Sequence, residues 1–251
     1  MHRIAGRLLA TGIAILLSCF VPANRAAGAE ISEAIHQAYL QGAKTIVWSA
    51  DPARIPLTGT DWFGHYRSPY VTVFVNGRGP FTFLFDTGAS VTIFSTKVVR
   101  AAGVQIVSQV AGHHAIVRAD EVRVAGISMR DYYAAIGDGD DVDGILGFNA
   151  FGTSYLDFDF STSTLIVSKS AVPLPNAFWL PYTLIARIPN VDLRIGSLTL
   201  PTLVDTGDDA YAWEATAANV KGLTFVHAPV PAATVVNGET GVTQTSITTV
   251  N

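Results

Sequence analysis

Apolar and polar residues alternate along much of the chain in a pattern that indicates short β-strands. Tyr70–Val75 and Phe81–Phe85 are apolar runs, and residues 76–79 between them read Asn-Gly-Arg-Gly. Asn-Gly between two such runs is the strongest short signal for a β-hairpin. The pattern therefore predicts two antiparallel strands, the second of which ends just before residue 86.

More short runs rich in β-branched and aromatic residues follow, each bounded by turn-forming residues. The predicted strands are Ala115–Arg118, Glu121–Val124, Tyr132–Ile136, Leu156–Phe160 and Leu165–Val167. A helix is predicted only near the start, over Ile31–Ala43, with Ser32 as its N-cap. These elements together predict an all-β fold.

The strand pattern restarts after a proline-rich segment and repeats an earlier unit. Val191–Ile195 and Leu198–Val204 are separated by a glycine and lead into Asp-Thr-Gly at residues 205–207. The first hairpin leads into the same tripeptide at residues 86–88. Strand, turn, strand and Asp-Thr-Gly therefore occur twice, which indicates a tandem repeat of one structural unit.

The repeat suggests a division of the chain into five parts. Residues 1–29 are predicted to be a signal peptide and residues 30–66 a leader to the first lobe. Residues 67–169 form the predicted first lobe, residues 170–181 a linker, and residues 182–251 a second lobe.

The N-terminus has the features of an export signal. Basic residues at positions 3 and 7 precede the apolar run Leu8–Phe20, and Ala-Gly-Ala at residues 27–29 provides a small-residue cleavage site. We expect a mature chain that starts near Glu30 and is periplasmic or secreted. Two alternatives are an uncleaved membrane anchor and a lipoprotein, because Leu-Leu-Ser precedes Cys19 in the manner of a lipobox.

Composition and charge narrow the class of protein. Hydrophobic residues make up 49% of the chain and charged residues 14%, which excludes an intrinsically disordered chain. The formal net charge is −4 and basic residues do not cluster, so nucleic acid is not an expected partner. A single cysteine leaves no disulfide within the chain, so the core alone must stabilise an exported fold.

Two motifs give the chain a resemblance to a known family. Residues 85–90 read Phe-Asp-Thr-Gly-Ala-Ser and residues 143–147 read Asp-Gly-Ile-Leu-Gly. Together they resemble one lobe of the retropepsin-like and pepsin-like aspartic proteases, and residues 156–167 resemble the closing hairpin of such a lobe. The resemblance implies a β-barrel lobe, here repeated in tandem, with one Asp-Thr-Gly loop from each lobe.

That resemblance also implies the chemistry of peptide hydrolysis, with peptides or proteins as substrates and without a cofactor. Asp86 and Asp205 would form the catalytic pair. Two carboxylates at hydrogen-bonding distance cannot both ionise, so they share one proton. The ionised carboxylate then activates a water molecule, while the protonated one polarises the carbonyl of the peptide bond.

The residues around the pair would support it. Thr87 and Thr206 are implied to lock the two loops together, and Gly88 and Gly207 to let the backbone approach the carboxylates closely. Ser90 is implied to hydrogen-bond the outer oxygen of the first catalytic carboxylate.

The segment between the first Asp-Thr-Gly and Gly144 should contain a hairpin that covers the substrate. Its candidate tip is Gly112, His113 and His114. Adjacent residues on a strand point to opposite faces, so we do not expect these histidines to hold a metal ion. The acidic run over residues 138–143 departs from the calcium-loop spacing and is predicted to be a solvated turn.

The second copy departs from the family pattern. Asp208 and Asp209 follow its Asp-Thr-Gly where the first copy has Ala-Ser, and the sequence ends at Asn251 before a second Ile-Leu-Gly segment. The second lobe is therefore expected to be incomplete. Three hypotheses stay open: a single-chain endopeptidase, an inactive or peptide-binding relative, and a homodimer that pairs two copies of Asp86. A monomer is expected for the first hypothesis, and a dimer for the third.

Overall fold

The computed structural model describes most of the chain from residue 32 onward. The described residues are 32–59, 69–109, 114–138, 142–171, 180–195, 198–207, 230–235 and 242–247. The predicted signal peptide, the lipobox cysteine and most of the predicted linker lie outside them. Among the described residues, no helix is both long enough and apolar enough to span a membrane.

The described part of the first lobe contains two short helices and eleven strands. In chain order they are α1 Glu33–Gln41, β1 Ala43–Trp48, β2 Ala53–Pro56, β3 Tyr70–Val75, β4 Arg78–Asp86, β5 Ile93–Phe94, α2 Thr96–Ala101, β6 Gln105–Ser108, β7 Ile116–Val124, β8 Ile127–Ile136, β9 Gly144–Gly147, β10 Tyr155–Asp159 and β11 Thr164–Ser168. The predicted helix is confirmed, and Ser32 caps it by accepting a hydrogen bond from the Ile35 N–H.

Six strands of this lobe close into a barrel. They follow one another in the order β8, β5, β9, β4, β3 and β7, and β7 pairs again with β8. Closure removes the exposed strand edges that an open sheet would have. The predicted all-β fold with a β-barrel lobe is confirmed.

The barrel interior is filled by the alternate side chains of its strands. Val71, Val73 and Val75 of β3 are fully buried, as are Phe83 and Phe85 of β4. This alternation matches the two-residue period of a strand with one face on the core. Burying each such side chain contributes roughly 1.5–3 kcal/mol, so the core fixes the register of β4 and the position of the loop after it.

The β3–β4 hairpin turns where the sequence predicts it. Asn76 and Gly77 have positive φ angles of 48° and 72°, which suit the residue pair Asn-Gly. The Asn76 side chain ties the turn to the barrel, because its Oδ1 accepts from the N–H groups of Asp120 and Glu121 at 2.8 and 3.1 Å.

The segment predicted to be a leader, residues 30–66, contributes strands to the first lobe. β1 pairs antiparallel with β8, and β2 pairs antiparallel with β11 of the β10–β11 hairpin. The sequence analysis did not predict these two strands. The predicted closing hairpin over residues 156–167 is confirmed by β10 and β11.

The second repeat builds a separate three-stranded sheet. Its strands are β12 Tyr182–Ile185, β13 Ile188–Ile195 and β14 Leu198–Leu203. β15 Val230–Val235 and β16 Val242–Ile247 follow and pair antiparallel with each other. β13 and β14 form an antiparallel hairpin immediately before the second Asp-Thr-Gly. The predicted strand–turn–strand repeat is therefore present in both copies, while the domain boundaries themselves stay predictions.

Candidate active site

Strand pairing fixes the position of the first Asp-Thr-Gly loop. β4 ends at Asp86, and it runs parallel to β9 with Asp86 opposite Gly147. The Phe148 N–H donates to the Ala89 carbonyl at 2.7 Å, so the chain after β9 also supports the loop. The second loop follows the end of β14, where the Val204 N–H donates to the Pro189 carbonyl at 2.9 Å.

The two threonines join the loops through four reciprocal hydrogen bonds. The Thr87 N–H donates to Thr206 Oγ1 at 3.1 Å, and the Thr206 N–H donates to Thr87 Oγ1 at 3.0 Å. Thr87 Oγ1 donates to the Val204 carbonyl at 2.6 Å, and Thr206 Oγ1 donates to the Phe85 carbonyl at 2.8 Å. Each loop therefore holds the other in the same way, with approximate two-fold symmetry.

This arrangement brings the two aspartates together. The side chains of Asp86 and Asp205 hydrogen-bond each other. Asp86 Oδ1 also accepts from the N–H groups of Gly88 and Ala89 at 2.7 and 3.1 Å. Asp205 Oδ1 accepts from the Gly207 N–H at 2.8 Å, so each carboxylate is oriented by its own loop.

The glycines of the loops lie directly against the opposite carboxylates. A Cβ atom built on Gly88 would lie 2.3 Å from Asp205 Oδ2, and one built on Gly207 would lie 2.4 Å from Asp86 Cγ. Real Cβ atoms essentially never approach a neighbour this closely. Only glycine allows the two loops to pack in this way.

The environment of Asp86 favours its protonated form. The residue is 5% exposed, and burial, followed by the charge of Asp205 and the hydrogen bond with it, raises the pKa of its carboxyl to about 8. The two backbone N–H groups from Gly88 and Ala89 lower the pKa and offset part of this effect. Asp86 therefore keeps a proton at a pH where an ordinary aspartate has lost it.

The expectation for Ser90 is wrong. Its side chain makes no hydrogen bond to Asp86, whose accepted bonds come from backbone N–H groups and from Asp205. The residue lies instead beside a cavity on the side of α1 and β1. A side chain four positions beyond Asp86 depends on the path of the loop, which the motif alone does not determine.

Thr92 supports the first loop in a way that the sequence analysis missed. Its hydroxyl is fully buried, lies 2.7 Å from the Tyr132 hydroxyl, and accepts from the Gly147 N–H at 3.2 Å. These bonds connect β9 with β8 beneath the loop. A threonine in a strand-forming segment carries no sequence signal that distinguishes this role from ordinary packing.

The predicted covering hairpin corresponds to β6 and β7, which pair antiparallel. Its candidate tip lies mostly outside the described residues, since Gly112 and His113 are not among them. His114 is described, and it is exposed just before β7. The assignment of the tip stays a prediction.

The acidic residues downstream make structural contacts where the structure describes them. Asp138 accepts from the Thr96 N–H and hydroxyl at 2.7 and 2.8 Å, at the start of α2. Asp143 accepts from the Thr82 N–H at 2.9 Å and from Lys97 at 2.6 Å. Within the described ranges, no group of three or more His, Cys, Asp or Glu residues could hold a metal ion. Asp208 and Asp209 lie outside those ranges.

Comparison with known proteins agrees with this geometry for the first lobe. Residues 71–150 match the family described as aspartyl protease. The chain is also similar to the crystal structure of a retropepsin-like aspartic protease from Rickettsia conorii, with 20% sequence identity and a TM-score of 0.37. That similarity covers 48% of this chain and 93% of the other. Among curated proteins, none matches this chain.

Proposed function

We propose that this aspartyl protease relative is an endopeptidase that hydrolyses peptide bonds with a water molecule activated by Asp86 and Asp205. The observation that carries the proposal is the hydrogen bond between these two carboxyls, which are held by reciprocal loops. A buried pair of this kind is costly to maintain for stability alone, because one member must keep a proton at neutral pH.

In the proposed reaction, the ionised carboxylate accepts a proton from water as the water oxygen attacks the carbonyl carbon of the peptide. The protonated carboxyl donates its proton to the carbonyl oxygen, which gives a neutral tetrahedral intermediate. Proton transfer to the peptide nitrogen then allows the C–N bond to break. The products are a carboxylic acid and an amine, and the pair regains its single shared proton.

The deeper burial and raised pKa of Asp86 support a division of roles within the proposed pair. Asp86 is the more deeply buried of the two residues, so it is the better candidate for the protonated, polarising acid. Asp205 is half-buried, which makes it the better candidate for the ionised base. The titration belongs to the pair as a unit, so the assignment describes its favoured proton position.

A peptide mixture tests the proposed activity directly. The full chain is incubated with unstructured peptides at acidic and neutral pH, and the products are identified by mass spectrometry. We expect internal cleavage that a statine-type transition-state mimic inhibits. Binding of that mimic without cleavage would instead favour a second candidate, a peptide-binding relative. Asp208 and Asp209, which follow the second Asp-Thr-Gly in the sequence, motivate this candidate. No cleavage and no binding would contradict both.

The hydrogen bonds between the loops also bear on the homodimer hypothesis. In a homodimer, a second copy of the first loop would occupy the position that the Thr206 loop takes here within the same chain. The intrachain contact supports a single-chain active site. Sedimentation of the active protein as a monomer is the expected result, and activity confined to a dimer would favour the alternative.

We also propose that the protein is exported, on the basis of the N-terminal pattern described above. N-terminal sequencing of protein from the native host is expected to give a mature chain that starts near Glu30. A lipid-modified N-terminus at Cys19 would support the lipoprotein alternative.

A further inference from the structure

A cavity of about 700 Å³ lies apart from the aspartate pair. It is lined by residues of α1, β1 and 148–154, together with Leu184 and Arg187. Neither Asp86 nor Asp205 lines it. Its volume falls within the range of about 300–1,000 Å³ that is usual for small-molecule sites.

Basic side chains surround this cavity. Lys44, Lys169 and Arg187 line it, and no acidic residue is among its described lining residues. Within the described part of the chain, none of these three cations forms an ion pair with a carboxylate within 4.0 Å. Lys44 does lie close enough to Asp131 to lower the pKa of that carboxyl. The cavity thus presents positive charge to any group that enters it.

Two of the cations are already oriented by the protein. Lys169 Nζ lies 5.5 Å from the centre of the Trp48 ring, and Arg187 donates to the Leu40 carbonyl at 2.9 Å. Arg187 retains further N–H donors, because a guanidinium carries five of them. Such partly oriented cations lose less freedom when they bind an anion than free surface lysines do.

One residue of the cavity lining, Asn149, has a buried acceptor without a hydrogen-bond partner. Asn149 is 8% exposed, and its Nδ2 donates to the carbonyls of Tyr39 and Leu40 at 3.3 and 3.4 Å. These two bonds assign the amide orientation, and they leave Asn149 Oδ1 as a buried side-chain atom without a hydrogen bond. A buried acceptor of this kind is suited to a ligand N–H or O–H group.

Apolar surface completes the lining. Leu40, Ile46, Trp48, Phe148 and Leu184 contribute side chains to the wall. A small inorganic anion would leave this surface without contacts, whereas a ligand with an apolar group would cover it.

We propose that this cavity binds an organic carboxylate that carries an apolar side chain and an adjacent amide N–H. The carboxylate would interact with Lys44, Lys169 and Arg187, and the amide N–H would donate to Asn149 Oδ1. This is the chemistry of the C-terminal residue of a peptide and equally of a free N-acyl amino acid. The proposal does not depend on cleavage by the aspartate pair.

Titration calorimetry with N-acetyl-L-leucine tests the proposal on the full chain, with N-acetyl-L-leucine methyl ester as the neutral counterpart. We expect saturable binding of the acid at millimolar or lower concentration and no binding of the ester. Absence of acid binding, or equal binding of the two compounds, would overturn the proposal. A second pair of ligands is a peptide with a free C-terminus and the same peptide with an amidated C-terminus. Their binding shows whether the site recognises peptide ends or free acyl amino acids. A preference for the free peptide over N-acetyl-L-leucine assigns the site to peptide ends, and the reverse assigns it to free acyl amino acids.

Single lysine substitutions locate the binding site. Lys44→Met and Lys169→Met each remove a charge from an exposed side chain, and loss of one charge-assisted contact is expected to weaken acid binding roughly tenfold. Lys97→Met is the matched control, because Lys97 pairs with Asp143 away from the cavity. If Lys97→Met weakens binding as much as the other two variants, or if neither of those has an effect, the cavity is not the site. Far-ultraviolet circular dichroism confirms that each variant is folded.

Discussion

Thr87 and Thr206 hydrogen-bond each other twice, with each backbone N–H donating to the other threonine's Oγ1 at 3.1 and 3.0 Å. The contact joins two turns that are far apart in the sequence and that follow hairpins of the same design. It fixes the distance between the aspartates that precede the two threonines. The geometry of the candidate active site therefore depends on the two threonines that directly follow the aspartates.

The hydroxyl of Thr87 should be essential to this contact. Thr87→Val keeps the shape of the side chain, but it removes both the acceptor for the Thr206 N–H and the donor to the Val204 carbonyl. Thr87 is buried, so the groups left without a partner should lower the free energy of unfolding by about 1–3 kcal/mol. Urea denaturation measures the change. Thr87→Ser keeps the hydroxyl and should recover most of the loss, and equal destabilisation by both variants would argue against the hydrogen bonds as its cause.

The close packing of each loop glycine against the opposite carboxylate should be as important for activity as the hydrogen bonds between the loops. Gly88→Ala would place a methyl group against Asp205 Oδ2 and displace that carboxylate, so peptide cleavage should fall at least a hundredfold, as expected for loss of positioned acid–base catalysis. Gly126→Ala is the control, because the one close contact of its Cβ would be with the Ser49 hydroxyl, which can rotate away. Initial rates with one peptide substrate compare the two variants. Wild-type rates in Gly88→Ala would show that the close approach of the loops is not needed.

The raised pKa of Asp86 predicts a specific dependence of stability on pH. The folded protein holds the proton up to about pH 8, whereas the unfolded chain releases it at about pH 4. Between these values the folded state binds more protons, so this residue makes stability fall as pH rises. Asp86→Asn removes this loss of stability, because the amide does not titrate. It should therefore raise the melting temperature relative to wild type at pH 7, with a smaller difference toward pH 4.

An aspartate with the opposite shift provides the control for that experiment. Hydrogen bonds from Thr96 lower the pKa of Asp138, so its contribution to stability is present above the unfolded pKa and is lost as pH falls. Asp138→Asn should therefore lower the melting temperature at pH 7. A melting temperature of Asp86→Asn below that of wild type at pH 7 would contradict the raised pKa.

Local pattern was sufficient to predict the parts of the fold that local interactions determine. Strand β3 was predicted over the residues where it occurs, because the alternation in Tyr70–Val75 and the Asn-Gly turn are both short-range signals. The strands β1 and β2 were missed. Their partners are β8 and β11, which lie far along the chain, so nothing in the sequence near residues 43–56 indicated that they complete the first lobe.

Some features of the candidate site could likewise be predicted from the sequence, and others could not. The two Asp-Thr-Gly tripeptides identified the residues that meet, because the motif and its repetition are visible in the sequence. The direction of an individual side chain was not visible, and Ser90 faces the basic cavity while backbone N–H groups hold Asp86. Nearly every residue has a backbone N–H, so the sequence cannot show which of these groups donate to Asp86.

The comparison of Asp86→Asn with Asp205→Asn tests the central claim most directly. The substitution is nearly isosteric, but the amide can neither act as the base nor share the proton, so each change should lower kcat/KM for one unstructured peptide by at least ~10²-fold. Because the two residues act as one unit in this account, both variants should be impaired to a similar extent and the double variant little further. A folded Asp205→Asn protein that retains wild-type kcat/KM would contradict the account, because the active site would then not be built from Asp86 and Asp205 of one chain.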